Sequence, residues 1–356
     1  ELMFSRFITG IGSGVCFTIV PMYLGEISPP KIRGIILTIV MTASRLGILF
    51  AYVLIPFVSI HTSTYITLTV PILFVLYFIW LPESPYYWMR RGLRDRASKS
   101  LAMLRGTKDI QTELELIETS VREELAKSSG PRELFCVPGN RKSLTVGIAL
   151  GLAQQFSGSQ AIMMYTQTIF DQANVNLEGK YLAIILGIIQ MICTLLCAVV
   201  VDRYGRRPLL IFSSGGSAFA TTIIATYFHL QYLDIDTTPI EWLPASGCMF
   251  YVVFYSLGLA PLPTTMLGEL FPTNIKPQAC AIVVFLLNFG GFIVAKTYQL
   301  VSDSVGTHVA FWIFTVFNVL CVVYVYFCVP ETKGKTLQQI QYELHDKKDQ
   351  IDKIGG

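Results

Sequence analysis

Nine stretches of this 356-residue chain are apolar over about the twenty residues that a helix needs to cross a hydrocarbon layer. They cover approximately residues 4–23, 34–56, 64–81, 143–170, 181–201, 208–228, 245–267, 278–301 and 309–329. A chain built this way has few options. In a bilayer every backbone donor and acceptor must be satisfied internally, so runs of this length have to be helices. Composition agrees: 14% of residues are charged, against ~25% in an ordinary soluble domain. The polar surface that would dissolve such a chain is missing. An all-α, multi-pass membrane protein is the expectation, with the lipid bilayer as its first partner.

The basic residues orient it. Apart from Arg6, Arg45, Lys180 and Lys296, all 27 Lys and Arg fall in alternate connections or in the C-terminal tail. The intervening connections are acidic instead. By the positive-inside bias, those basic connections and the C-terminus are cytoplasmic. Four regions follow: residues 1–81 with three membrane helices, a cytoplasmic helical loop over 82–141, six membrane helices over 142–329, and a tail over 330–356. Within the loop, Ile110, Leu114, Ile117, Val121 and Leu125 recur at helical spacing, which predicts an amphipathic surface helix. A shorter helix is expected before it, ended by Arg105-Gly106. The net charge of +3 gives no reason to invoke nucleic acid. Seven of the eight cysteines lie in apolar runs without metal or redox spacing and read as small hydrophobes. The four histidines, His61, His229, His308 and His345, are expected in connections or in the tail and carry no site pattern.

Within the fourth run stands Gln154-Gln155-Phe156-Ser157-Gly158-Ser159-Gln160. Amides in hydrocarbon need partners, from a neighbouring helix or a water-filled cavity. On a straight helix Gln160 would point about 120–140° away from Gln154 and Gln155. A break at Ser157-Gly158 would turn all three toward one cavity, as interrupted helices do in many secondary transporters. The blander reading is that the amides bond only to neighbouring helices.

The chain also repeats itself. Leu24-Gly25-Glu26 followed by Pro29 and Arg33 recurs as Leu267-Gly268-Glu269 followed by Pro272 and Lys276. Pro82-Glu83 recurs as Pro330-Glu331. Runs one to three therefore correspond to runs seven to nine. Two six-helix halves are implied, of which the first three helices would lie outside this sequence. Parallel halves of this kind set a substrate site between them.

These residues resemble the sugar porters of the major facilitator superfamily over nearly the whole chain. The likeness is carried by Arg6-Phe7 with Gly10, Gly12 and Gly14, by Glu26-x-x-Pro29-x-x-x-Arg33-Gly34 and by Pro82-Glu83-Ser84-Pro85. It continues through Gln154-Gln155-x-Ser157-Gly158 with Tyr165, Asp202-Arg203-Tyr204-Gly205-Arg206-Arg207-Pro208, and Pro330-Glu331-Thr332-Lys333-Gly334. The stretch from Phe271 to Lys276, together with Lys296-Thr297, is most similar to the facilitated trehalose transporter branch of insects. The resemblance implies nine of the fold's twelve helices and a monomeric, cofactor-free carrier of a neutral sugar in the cell membrane. Trehalose or a hexose would move by facilitated alternating access.

It further implies that Gln154, Gln155, Gln160, Tyr165, Thr264 and Asn288 line the sugar site. Thr264 stands where a Trp is common, Phe289 replaces another Trp, Met41 a Gln and Ser256 a Glu. A site lacking those groups is not the usual glucose site. A non-transporting sugar sensor on the same fold, or an inactive truncated carrier, is the alternative. An enzyme is not expected, since no paired carboxylates or nucleophile motif lie in the apolar runs.

Glu26, Glu83, Asp202, Glu269 and Glu331 stand at cytoplasmic helix ends near Arg33, Arg203, Arg206, Arg207 and Lys276. Carboxylates at helix C-termini oppose the macrodipole and call for cations. If the pairs joined the two halves they would latch the inner side shut.

Overall fold

The computed structural model describes residues 1–29, 33–107, 110–126, 132–172, 179–271 and 275–333, and every regular element among them is helical. The chain divides into two compact units, Glu1–Ser128 and Ser129–Gly356.

The first unit holds α1 (Leu2–Ile27), α2 (Arg33–Leu54), α3 (Ile60–Phe78), α4 (Pro85–Arg90), α5 (Arg94–Arg105) and α6 (Gln111–Ala126). The third helix begins four residues before the predicted run, because Ser59 caps it: its Oγ accepts from the Thr62 N–H at 3.2 Å. Large apolar side chains of α1 and α3, among them Phe4, Phe7, Phe17, Tyr65 and Tyr77, point outward. That suits a helix whose solvent is lipid.

The polar helices behave as a small soluble core. Met89, Ala97, Leu101, Ile110, Leu114, Ile117 and Val121 are buried together, as the helical spacing from Ile110 predicts; the side chain of Leu125 lies outside the described residues. Gly106 closes α5 at φ +67°, a conformation glycine adopts without strain. The residue before it ties this core to α1. Arg105 donates two bonds from Nε and one from Nη2 to Glu113, at 2.7–3.2 Å, and its Nη1 donates to the Ile27 carbonyl at 2.9 Å. A cation thus satisfies a carbonyl at the C-terminus of α1. The Arg105 hydrogen bonds hold the Glu113 carboxyl below its ordinary pKa, against a smaller opposing effect of burial.

The second unit holds α7 (Arg132–Cys136), α8 (Pro138–Gln154), α9 (Gln160–Gln172), α10 (Gly179–Tyr204), α11 (Arg206–Tyr232), α12 (Leu243–Leu257), α13 (Leu262–Leu270), α14 (Lys276–Ser304) and α15 (Thr307–Cys328). Helices approach closely where residues are small. A Cβ on Gly147 of α8 would sit 2.8 Å from Leu267, and one on Gly216 of α11 would sit 2.2 Å from the Phe254 ring.

Seven segments among the described residues are long and apolar enough to cross a membrane. The other two predicted runs are α2, with a shorter apolar portion over Thr42–Phe57, and the fourth run, which is divided between α8 and α9. A second division was not foreseen. The run over 245–267 breaks at Gly258–Pro261, where Gly258 leaves helical geometry and Pro261 and Pro263 remove backbone donors.

Arg105→Ala frees the α1 terminus and leaves Glu113 without its partner. Limited proteolysis across residues 106–126 should become at least several-fold faster than in the wild type. An unchanged rate would mean that Arg105 does not hold this core to α1.

Candidate functional site

The break in the fourth run is real and specific. Residues Gln155–Ser159 form a single π turn, in which Gly158 takes φ +97°, ψ 6°. A residue other than glycine would pay about 1–3 kcal/mol for such a backbone. It would also collide with Phe314 of α15, whose ring lies 2.7 Å from where a Cβ would be.

The carbonyls released by the break are answered locally. Ser157 Oγ and Ser159 Oγ donate to the Gln154 carbonyl at 2.7 and 3.0 Å, and Ser157 Oγ pairs with the Tyr251 hydroxyl at 2.8 Å. Asn318 Nδ2 of α15 donates to the Ser157 carbonyl at 3.0 Å.

The three glutamines part company at this point. Gln154 turns toward the other broken helix, where its Nε2 donates to the Ala260 carbonyl at 2.7 Å. Ser213 supports the same break, accepting from the Leu259 N–H at 2.8 Å and donating to the Phe254 carbonyl at 2.7 Å. Gln155 and Gln160 converge instead on Gly291 of α14. A Cβ there would lie 3.2 Å from Gln155 Oε1 and 3.4 Å from Gln160 Cγ. Gln155 is 4% exposed, and its Oε1 has no donor among the described residues.

Asn288, Gly291, Ala295 and Gln299 fall within about 80° on α14. Tyr165 reaches the far end of that stripe, its hydroxyl donating to Gln299 Oε1 at 3.2 Å and its ring 5.0 Å from Tyr298. Asn288, at the near end, is exposed and donates only to the Val284 carbonyl of its own helix, at 2.8 Å. The structure therefore brings Gln155 and Gln160 together at Gly291, sets Tyr165 against the same helix at Gln299, leaves Asn288 bonded to its own helix and sends Gln154 elsewhere. Thr264 is exposed and bonded to Pro261 of its own helix; nothing joins it to the stripe. The side chain of Met41 lies outside the described residues.

Sequence reasoning missed Tyr251, Asn318 and Gln299. A lone amide in an apolar run was the signal available for Asn318. His229 and His308 also need correcting. They stand in the last turn of α11 and the first turn of α15 rather than in connections, with their rings 5.3 Å apart.

The charged ends repeat as the sequence does. In the first unit Glu26 accepts from Ser84 Oγ and pairs with Arg90 at 3.4 Å, while the Tyr23 hydroxyl donates to the Pro82 carbonyl at 2.6 Å. In the second, Glu269 accepts from Thr332 Oγ1 at 2.5 Å and pairs with Arg206 at 2.9 Å. The hydroxyl after each Pro-Glu finds the Glu of each Gly-Glu.

Glu331 accepts the backbone N–H groups of Arg206 and Arg207 at 3.0 Å and those of Thr332 and Lys333 at 3.0 and 2.9 Å. It thereby places an anion on the N-terminus of α11. Burial pushes its carboxyl pKa up, and the four N–H groups outweigh that and hold it below the usual carboxylate range. Gly205 permits the approach: it takes φ +96°, and a Cβ there would sit 2.9 Å from the carboxylate.

Lys276 donates to the Gly268 carbonyl at 2.8 Å, and Arg203 accepts on its own carbonyl from Lys333 at 2.7 Å. Glu83 is exposed. The side chains of Arg33 and Asp202 lie outside the described residues. The pairs named here fasten helices of one unit to one another.

Interrupted membrane helices, buried amides facing a glycine and charged helix ends define a multi-pass transporter. The family described as sugar (and other) transporter matches residues 1–344, and the chain belongs to it. The chain is 32% identical over 346 residues to a facilitated trehalose transporter Tret1-2 homolog of Drosophila simulans, covering 96% of this chain and 71% of that protein. It is 32% identical to facilitated trehalose transporter Tret1 of Anopheles gambiae, with 96% and 44% covered.

Among solved structures, the inward-open xylose transporter XylE from E. coli superposes with a TM-score of 0.77 at 25% identity, over 95% of this chain and 71% of that one. The proton:xylose symporter XylE bound to 6-bromo-6-deoxy-D-glucose gives 0.73 at 26%, over 95% and 73%. The fold is that of the major facilitator superfamily.

Two outcomes test this geometry. Gly291→Val crowds Gln155 and Gln160 and should weaken sugar affinity about tenfold in vesicles; unchanged affinity would separate these amides from the substrate. Glu331→Gln removes a carboxylate whose depressed pKa stabilises the fold above the ordinary value of 4.5 and ceases to do so as pH falls through its folded value. The wild type should therefore lose melting temperature on acidification below that range, and Glu331→Gln should lose less.

Proposed function

We propose that this chain carries a neutral sugar across the membrane by facilitated alternating access, and that trehalose is its preferred substrate over a hexose. The convergence of Gln155 and Gln160 on Gly291 carries the reading. A buried amide oxygen without a protein donor, beside a second amide and a position with no side chain, suits a ligand that is dense in hydroxyls. Each hydroxyl donates as well as accepts, so a sugar can satisfy both ends of both amides.

Charged substrates fit poorly, because no ionised side chain stands with these amides among the described residues. Phe289, beside Asn288, is smaller than the tryptophan common in hexose carriers and leaves room for a sugar larger than glucose. The names of the curated relatives point the same way.

The remaining assignments follow from charge. The basic connections and the tail face the cytoplasm, and the plasma membrane is the natural site for a facilitative sugar carrier. The unit of function is the monomer, since Gln155, Gln160 and Gly291 all belong to one chain.

Uptake of radiolabelled trehalose into vesicles tests this directly. Uptake should saturate, should be inhibited more strongly by unlabelled trehalose than by equal glucose, and should not change with a proton uncoupler. Collapse under the uncoupler would make the carrier proton-coupled. Binding without flux would make it a sensor.

A further inference from the structure

Asn318 is the polar residue that the sugar site does not explain. It lies in the middle of α15, a helix that contributes none of the residues gathered on Gly291, and it is fully buried. An amide at that depth is costly unless it does something that Leu cannot. Its Nδ2 donates to the Ser157 carbonyl at 3.0 Å and to the Phe314 carbonyl of its own helix at 2.9 Å.

The first of these is the informative bond. Ser157 lies in the π turn, between Gln155 and Gln160. One turn away on the same face of α15, the Phe314 ring fills the space that the missing Cβ of Gly158 leaves open. The helix thus grips the break at two adjacent residues, one grip polar and one apolar.

Behind Asn318 the structure is rigid. Helices α11 and α15 run antiparallel, with Thr315 donating to Thr221 Oγ1 at 2.9 Å and Ser214 meeting Cys321 at 3.3 Å. That register sets Asn318 opposite Ser217, and both are fully buried. Asn318 is bonded to its own helix at Phe314 and presents its donor forward to Ser157, while its Oδ1 and Ser217 Oγ are buried without a hydrogen-bond partner among the described residues.

We propose that Asn318 is a positioning residue for the sugar site: by holding the Ser157 carbonyl it fixes the angle between α8 and α9, and hence the meeting of Gln155 with Gln160 at Gly291. It touches no sugar and acts through the break. The proposal rests on the sugar reading of that site, so its test includes a measurement that needs no sugar.

Asn318→Leu keeps the volume and removes the donor. The variant leaves the Ser157 carbonyl without this donor, so it should fold with a lowered melting temperature. Thr315→Val is the control, since it removes a hydrogen bond from the same helix without touching the break.

Two quantities are read on the whole chain in detergent and in vesicles. Amide hydrogen exchange over residues 157–161, followed by mass spectrometry, should speed up at least fivefold in Asn318→Leu and stay unchanged in Thr315→Val, with other helices unaffected in both. The KM for sugar uptake should rise about tenfold in Asn318→Leu, with kcat within about twofold, and should not move in Thr315→Val.

Exchange that is unchanged, or that rises equally in both variants, overturns the proposal. So does faster local exchange with an unchanged KM, which would leave Asn318 holding a break that does not set the site. Should the wild type carry no sugar, the transport reading falls, and the exchange result alone decides whether Asn318 holds the turn.

Discussion

An unpaired carbonyl in hydrocarbon costs several kcal/mol, and the second unit is organised around meeting that demand at two broken helices. The π turn at Gln155–Ser159 releases carbonyls that Ser157, Ser159 and Asn318 answer. The turn at Gly258–Pro261 releases others, which Ser213 and Gln154 answer. Gln154 belongs to one broken helix and serves the other. The two interruptions are thus stitched together, and neither could exist in lipid without the polar residues that surround it.

This arrangement explains why three neighbouring amides have different lives. Gln154 precedes the break and lies where the regular helix still sets its direction, toward Ala260. Gln160 follows the break, and the left-handed Gly158 redirects the helix that bears it. Gln155 sits at the hinge. Only the last two meet, and they meet at a glycine. Among the described residues both Gln154 and Gln155 keep a buried amide oxygen without a donor; Gln154 commits its Nε2 to Ala260, while the oxygen of Gln155 faces Gly291, where a ligand's hydroxyl can relieve the cost.

Much of this was legible in the sequence. Nine apolar runs marked the helical membrane segments because length in a bilayer leaves few alternatives, seven of them long and apolar enough to cross among the described residues. Ser157-Gly158 marked the break because glycine flanked by serines is the weakest helical segment of its run. The spacing from Ile110 marked the soluble core for the same kind of reason, a period of 3.6. Other features were not legible. Which way Gln160 turns relative to Gln154 and Gln155 depends on the φ angle at Gly158. The break at Gly258–Pro261 was hidden by the apolar character of its surroundings, which kept the run continuous on any hydropathy count. Charge pattern showed that Glu26, Glu269 and Glu331 would find cations or donors, but it carries no information on whether those come from the same unit.

The charged ends show why a repeat in sequence is informative beyond topology. Ser84 and Thr332 differ by a methyl group, yet each donates its hydroxyl to the Glu that ends the corresponding membrane helix. The helix C-terminus is a poor place for a carboxylate, and the hydroxyl with its neighbouring arginine offsets that penalty in both units. Glu331 occupies the opposite electrostatic setting, at a helix N-terminus where its charge is favoured. One Pro-Glu-hydroxyl sequence therefore handles both ends of the helix dipole, with the Glu capping one helix and the hydroxyl consoling the Glu of another. A substitution in it disturbs two helices at once, so its constraint comes from packing and electrostatics within the unit, independently of any sugar bound near Gly291.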